Sequence, residues 1–162
     1  MDDSRLNDIE FEIRKASVDY DYNTTEYSIG TIVNKYKIGK IFWSHYHHQN
    51  AVWNNERKSK YIESILLEMP IMPFVAYLSK EDTKIEIIDG SNRIEALVDY
   101  CFDDLQLCGL EILTSLNGTK FSDLPTWIKG KLLVKWIKFY LMESEQHDIH
   151  IDIYYRYNTI QD

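Results

Sequence analysis

A short alternating run, Lys84 to Ile88, sets Ile85 and Ile87 on one side, the pattern of a strand half buried in a sheet. Asp89-Gly90 cuts the run. A helical pattern begins at once, with Ile94, Leu97, Val98 and Cys101 at spacings of three and four. A strand that turns directly into a helix is a strong constraint. The strand needs sheet neighbours, and the helix needs a face of that sheet to cover. The turn residues Asp89-Gly90-Ser91-Asn92-Arg93 then lie at a defined place, at the end of a strand and the start of a helix.

The rest of the chain supplies partners for this joint. Ile29, Ile32, Val33 and Tyr36 form a helical stripe opened near Ser28 and ended near Gly39. Ile41-Phe42-Trp43 reads as a short strand. Asn54 or Asn55 can cap a longer helix, whose apolar stripe is Tyr61, Ile62, Ile65, Leu66 and Met69 and which Pro70 stops. Ile71 to Leu78 reads as a buried strand, residues 105–113 as extended chain, and Asn117-Gly118 as a tight turn. Ser122 or Thr126 opens another helical segment, and Ile149 to Asn158 reads as a final helix. Residues 1–26 are acidic and polar, and are expected to be a partly disordered or docking segment. Residues 27–162 then form one α+β domain, a small mixed sheet flanked by helices.

Composition excludes some functions. The 162 residues suit one domain, and a net charge of −8 argues against a general coat for nucleic acid. A nucleic-acid site completed by an oligomer or a partner protein is compatible with it. Cys101 and Cys108 match no redox or zinc spacing, which fits a reduced, cytoplasmic setting. No apolar run approaches the ~18 residues that a membrane span needs.

The chemistry of the turn can be read residue by residue. Gly90 can take a positive φ or let a ligand approach the backbone. The first turn of a helix favours an anion. Arg93 adds a planar fork of donors suited to phosphate. Asp89 repels phosphate and needs a divalent cation, a ribose hydroxyl or a base amine instead. Ser91 and Asn92 can orient a water or cap the helix. A plain turn explains the same residues, with Arg93 paired to Glu95 or Glu63. His45, His47 and His48 have a metal-binding reading and a surface-loop reading, of which the loop is the simpler. Lys129, Lys131, Lys135 and Lys138, interleaved with Trp127 and Trp136, read either as a nucleic-acid contact or as a solvated helix face over buried tryptophans. The second is the expectation.

The order of these motifs carries a resemblance. Val52-Trp53 precedes Ser59-Lys60-Tyr61-Ile62-Glu63-Ser64-Ile65-Leu66-Leu67, then Pro70-Ile71-Met72-Pro73, then Ile88-Asp89-Gly90-Ser91-Asn92-Arg93. Leu110-Glu111, Asn117-Gly118, Phe121-Ser122-Asp123-Leu124-Pro125 and Arg156-Tyr157-Asn158-Thr159 follow. Across about residues 27–160 the chain resembles the bacterial family that includes the GmrS half of the GmrSD type IV restriction enzyme and the phosphorothioate sensor SspE, within the ParB/sulfiredoxin-like superfamily. The resemblance implies a nucleotide-binding domain, with nucleoside triphosphate and Mg²⁺ as its ligands, in anti-phage defence or the sensing of modified DNA.

In that family an Asp-Gly-Gln-Gln-Arg turn is the nucleotide site. Carried over, Asp89, Gly90 and Arg93 match, while Ser91 and Asn92 replace the two glutamines. Asp89 and Arg93 would then be catalytic, Asp89 also the metal ligand. Gly90, Ser91, Asn92, His48, Gln49, Arg156 and Asn158 would bind nucleotide. A Tyr-Gln-Arg segment of the family corresponds here to His47, His48 and Gln49, without the arginine. The chain also ends where relatives continue into further helices, which makes it a truncated piece or a short stand-alone member. Two functions are carried forward: a nucleotide-binding domain, hydrolysing or not, and a catalytically weakened regulatory module that binds DNA or protein. A homodimer is an expected assembly.

Overall fold

The computed structural model describes residues 3–44 and 52–158. Five strands form one open mixed sheet: β1 (Tyr22–Ser28), β2 (Ile41–Phe42), β3 (Phe74–Leu78), β4 (Ile85–Asp89) and β5 (Trp136–Met142). Their spatial order is β1-β5-β3-β4-β2. β1 runs antiparallel to β5, β5 parallel to β3, β3 antiparallel to β4, and β4 parallel to β2. The helices are α1 (Asp3–Ser17), α2 (Ile29–Lys37), α3 (Asn55–Leu66), α4 (Ser91–Cys101), α5 (Thr126–Leu133) and α6 (His147–Asn158). The α+β expectation holds.

Alternation along the strands builds two cores. Phe74, Ala76, Ile85, Ile87, Ile137 and Phe139 face one side, where α2, α3, α4 and α5 bury Ile32, Ile62, Leu97 and Leu132 against them. Val75, Ile88 and Met142 face the other side and receive Ile149, Ile153 and Tyr154 of α6. The joint stands where the two layers meet: β4 ends at Asp89, α4 departs on the larger core, and the C-terminal end of α6 arrives from the smaller one.

Local caps follow the sequence. Ser28 Oγ accepts from the Thr31 amide at the start of α2, and Asn54 Oδ1 accepts from the Arg57 amide at the start of α3. Gly39 follows α2 with φ 71°.

Four expectations need correction. The boundary after residue 26 falls too late, because Tyr22 to Ser28 pairs with β5 along its whole length as the edge strand β1. The expected strand 71–78 begins only at Phe74. Pro73 has no N–H for a ladder, and the carbonyls of Met72 and Pro73 accept from Arg93 instead. Residues 105–113 form no strand, because side chains and the backbone of nearby turns, rather than a neighbouring strand, satisfy their backbone. Ser59 Oγ accepts from the Cys108 amide, Glu63 Oε1 from Ile112 and Leu113, and Asn117 bonds both backbone groups of Leu110. Finally, the basic stretch is not one helix face. α5 ends at Leu133 and β5 starts at Trp136, with Ile137 and Phe139 inward and Trp136 and Lys138 outward. Its tryptophans are exposed, Trp127 to 70% and Trp136 to 65%.

Candidate functional site

The joint is an interlocked polar cluster. Gly90 precedes α4 with φ 114°, a conformation that L side chains rarely adopt. A Cβ there would overlap the Phe74 ring and come within 2.9 Å of an Arg93 nitrogen. Phe74 and the Arg93 guanidinium therefore take up the space that a side chain would need, so the turn requires glycine for internal packing.

Arg93 is largely spent within the protein. Its guanidinium lies 4.5 Å above the Phe74 ring centroid and its side chain is 13% exposed. It donates to the carbonyls of Met72 and Pro73, and to Asp89 Oδ2 at 3.1 Å. The pairings with Glu95 or Glu63 do not form. Glu95 instead pairs with Lys58, itself only 8% exposed and 2.7 Å from Asp99, while Glu63 holds the loop at 112–113. These buried polar groups of α3 were not singled out in the sequence. Their signal is weak, because Lys58 and Glu63 look like ordinary polar positions off the apolar stripe.

Asp89 is held from two sides. Asn158, at the end of α6, donates to Asp89 Oδ1 at 3.3 Å across 69 residues of sequence, and also to the Tyr154 carbonyl. Asn92 accepts from the Trp53 amide at 3.1 Å, which ties the approach to α3 onto the joint. Ser91 is buried in the first turn of α4. The structure thus brings Asp89, Gly90, Ser91, Asn92, Arg93 and Asn158 together. Arg156 does not join them. It is bound to Asp152 at 2.8 Å and lines a separate tyrosine-walled cavity with Tyr20, Tyr22 and Tyr140. Two residues along a helix turn it about 200° away from Asn158. His48 and Gln49, like His45 and His47, lie outside the described residues.

Beside the cluster, Val52, Trp53, Asn54, Glu56, Arg57 and Lys60 line an open cavity of about 390 Å³. The Arg57 guanidinium sits 4.7 Å over the Trp53 ring, and the ring packs edge-on to Tyr61. Burial pushes the Tyr61 hydroxyl up to about 12, although the charge of Arg93 pulls the other way. That hydroxyl finds no hydrogen-bond partner among the described residues.

The chain matches the family "GmrSD restriction endonuclease, N-terminal domain" over residues 25–161. It belongs to that family. No curated protein and no solved structure matches it. The match begins inside β1 and runs past α6, so both halves of the joint, Asp89–Arg93 and Asn158, fall within this GmrSD-type domain.

The residues fit a divalent ion poorly. Asp89 is the one carboxylate of the cluster, both its oxygens already face donors, and Arg93 answers its charge. Among the described residues no group of three or more His, Cys, Asp or Glu could hold a metal. Cys101 is a poor nucleophile, because burial, with Asp103 nearby, pushes its thiol up to about 12. No described helix is long and apolar enough to cross a membrane.

Proposed function

We propose that this GmrSD-type domain binds a nucleotide at the joint and the adjoining Trp53 cavity, as the ligand-sensing part of a restriction or defence system, and that it does not turn the nucleotide over. The observation that carries this reading is the tie between Trp53 and Asn92. It sets an aromatic face and the Arg57 guanidinium beside the first turn of α4, while Lys60 is paired with Glu56 and Glu111. A planar base can take the place of the Arg57 guanidinium over Trp53, which frees Arg57 to join the helix N-terminus in holding phosphate. Arg93 and Asp89 fix the shape of the turn rather than reach out of it. With their hydrogen bonds spent on Met72, Pro73, Asn158 and each other, neither is poised to activate water or follow charge on a leaving phosphate. The joint holds the nucleotide, and among the described residues it offers Mg²⁺ no ligand set.

Calorimetry with ATP and GTP tests it. Binding is expected for the wild type, and Arg57→Ala, an exposed substitution, is expected to weaken it about tenfold, the equivalent of ~1.4 kcal/mol. Phosphate release is expected to be the same for the wild type and Asp89→Ala. If neither nucleotide binds, the alternative of a DNA- or protein-binding regulatory module replaces this reading. If the wild type releases phosphate faster than Asp89→Ala, Asp89 is catalytic and the domain is a hydrolase.

A further inference from the structure

Two features far from the joint are each incomplete alone. The first is α1, a formed helix none of whose residues is buried. Leu6, Ile9 and Ile13 recur at spacings of three and four, so they share one side, and all three are exposed. The helix carries Asp3, Asp8, Glu10 and Glu12 against Arg5, Arg14 and Lys15, and Glu10 pairs with Arg14 at 2.6 Å.

The second feature is a cavity of about 540 Å³ between the end of α3, the loop before α5 and α5 itself. Leu66, Leu113, Leu116, Leu124, Trp127 and Ile128 wall it, and Lys131 and Lys135 stand at its rim. Residues 126–138 hold four lysines and no acid, on a chain whose net charge is −8. The rim already receives a carboxylate, because Lys131 pairs with Glu68. Glu68 occupies the left-handed position just after α3, with φ 61°, where glycine would be the unstrained choice. A glutamate in that position presents its acid to the lysine across the groove.

The α1 helix of the same chain is anchored elsewhere. Its connection to β1 is the short turn Val18–Tyr20, and the Tyr20 hydroxyl donates to Asp152 of α6 at 2.7 Å. That fixes the junction on the α6 side of the sheet. The groove belongs to the opposite side, where Ile65, Leu124 and Leu132 join the larger core. A helix with a bare apolar stripe and most of its acids in its first part, and a basic-rimmed apolar groove, thus sit on opposite sides of one molecule. We propose that α1 of one copy lays Leu6, Ile9 and Ile13 into this groove of a second copy, with the carboxylates of its first part turned toward Lys131 and Lys135. This is recognition of an amphipathic helix by a groove.

Sedimentation velocity of the full chain over a range of concentrations tests the proposal with two double variants. Ile9→Glu with Ile13→Glu spoils the helix, and Lys131→Glu with Lys135→Glu spoils the groove. Wild type is expected to associate, and each variant alone at least about tenfold more weakly. An equimolar mixture of the two variants is expected to regain association, because the intact helix of one meets the intact groove of the other. Circular dichroism checks the fold, and Trp127→Ala replaces the lysine pair if that pair fails to fold. A wild type that stays monomeric overturns the proposal. So does a groove variant that associates like the wild type while the helix variant does not, since α1 would then be pairing with α1.

Discussion

The Asp89 joint and the lysine-rich stretch 126–138 invert each other. The joint is the more conspicuous in sequence, yet its guanidinium, carboxylate and amide side chains are mostly occupied with holding β3, β4, α4 and α6 together. The lysine stretch reads as an ordinary solvated face, yet it leaves Trp127 at 70% exposure on the wall of the larger groove. The contrast teaches that a cluster of hydrogen-bonding residues is not by itself a surface for ligands. What matters is whether their donors and acceptors remain unspent once the chain has folded.

The largest effect is expected at the tightest point of the joint. Gly90→Ala must adopt φ 114° and push a methyl group into Phe74. Left-handed strain together with overpacking is expected to cost about 3 kcal/mol, read as a lower midpoint in urea at unchanged slope. A loss under about 1 kcal/mol would show that the turn relaxes easily, and the contrast between a locked joint and an open groove would weaken.

This locking explains what was legible beforehand. The joint, α2, α3, α4 and α6 follow from apolar spacing and cap residues, because those signals act within a few neighbours. The contact of Asn158 with Asp89 depends on how α6 crosses the sheet, and the family resemblance rather than any local pattern drew attention to Asn158. β5 was missed because Lys135 and Lys138 flank Trp136 in a spacing that also suits a helix. Its alternation becomes decisive only once β1 and β3 lie on either side. The irregular run through Leu110 was misread as extended because Ser59, Glu63 and Asn117 supply its hydrogen bonds from a distance. Arg156 and Asn158 looked equivalent in sequence, and only the orientation of α6 separates them.

A smaller effect is expected from Arg93→Lys. The ammonium keeps the charge beside Asp89 but cannot span the Met72 and Pro73 carbonyls with a planar fork. A loss of about 2 kcal/mol in unfolding free energy is expected. Equal stability of the two proteins would mean that charge alone holds the joint, and that the guanidinium is available to a ligand after all.

The next effect is a response to alkali. Burial raises the Tyr61 hydroxyl from its ordinary 10.0 to about 12 and the Cys101 thiol from 9.0 to about 12. Both stay protonated in the folded protein while the unfolded chain ionises. Their stabilisation is therefore complete below about pH 9 and is lost as pH rises toward 12. Tyr61 alone should account for about 1 kcal/mol of that loss by roughly pH 11. Tyr61→Phe removes this share of the pH dependence. It is also expected to be neutral or slightly stabilising near neutral pH, because the hydroxyl it removes has no hydrogen-bond partner among the described residues. Urea midpoints of both proteins across this range check the sign. A Phe variant with the wild-type alkaline slope would show that the Tyr61 environment is wetter than its burial implies.

The smallest effect is expected on the other side of the comparison. Trp127→Ala removes a large ring, yet most of that ring already faces water, so the folded state gives up little apolar burial. The change in unfolding free energy should stay within about 0.5 kcal/mol, the ordinary range for a surface substitution. A core tryptophan truncated in the same way costs about 3–5 kcal/mol. The size of the loss therefore reports directly whether this side chain belongs to the fold or to a contact. A small loss of stability with a marked loss of self-association puts Trp127 in the interface with α1 of a second copy. A loss of several kcal/mol would mean that α5 closes over the ring, and the groove would then be part of the core rather than a place for a partner.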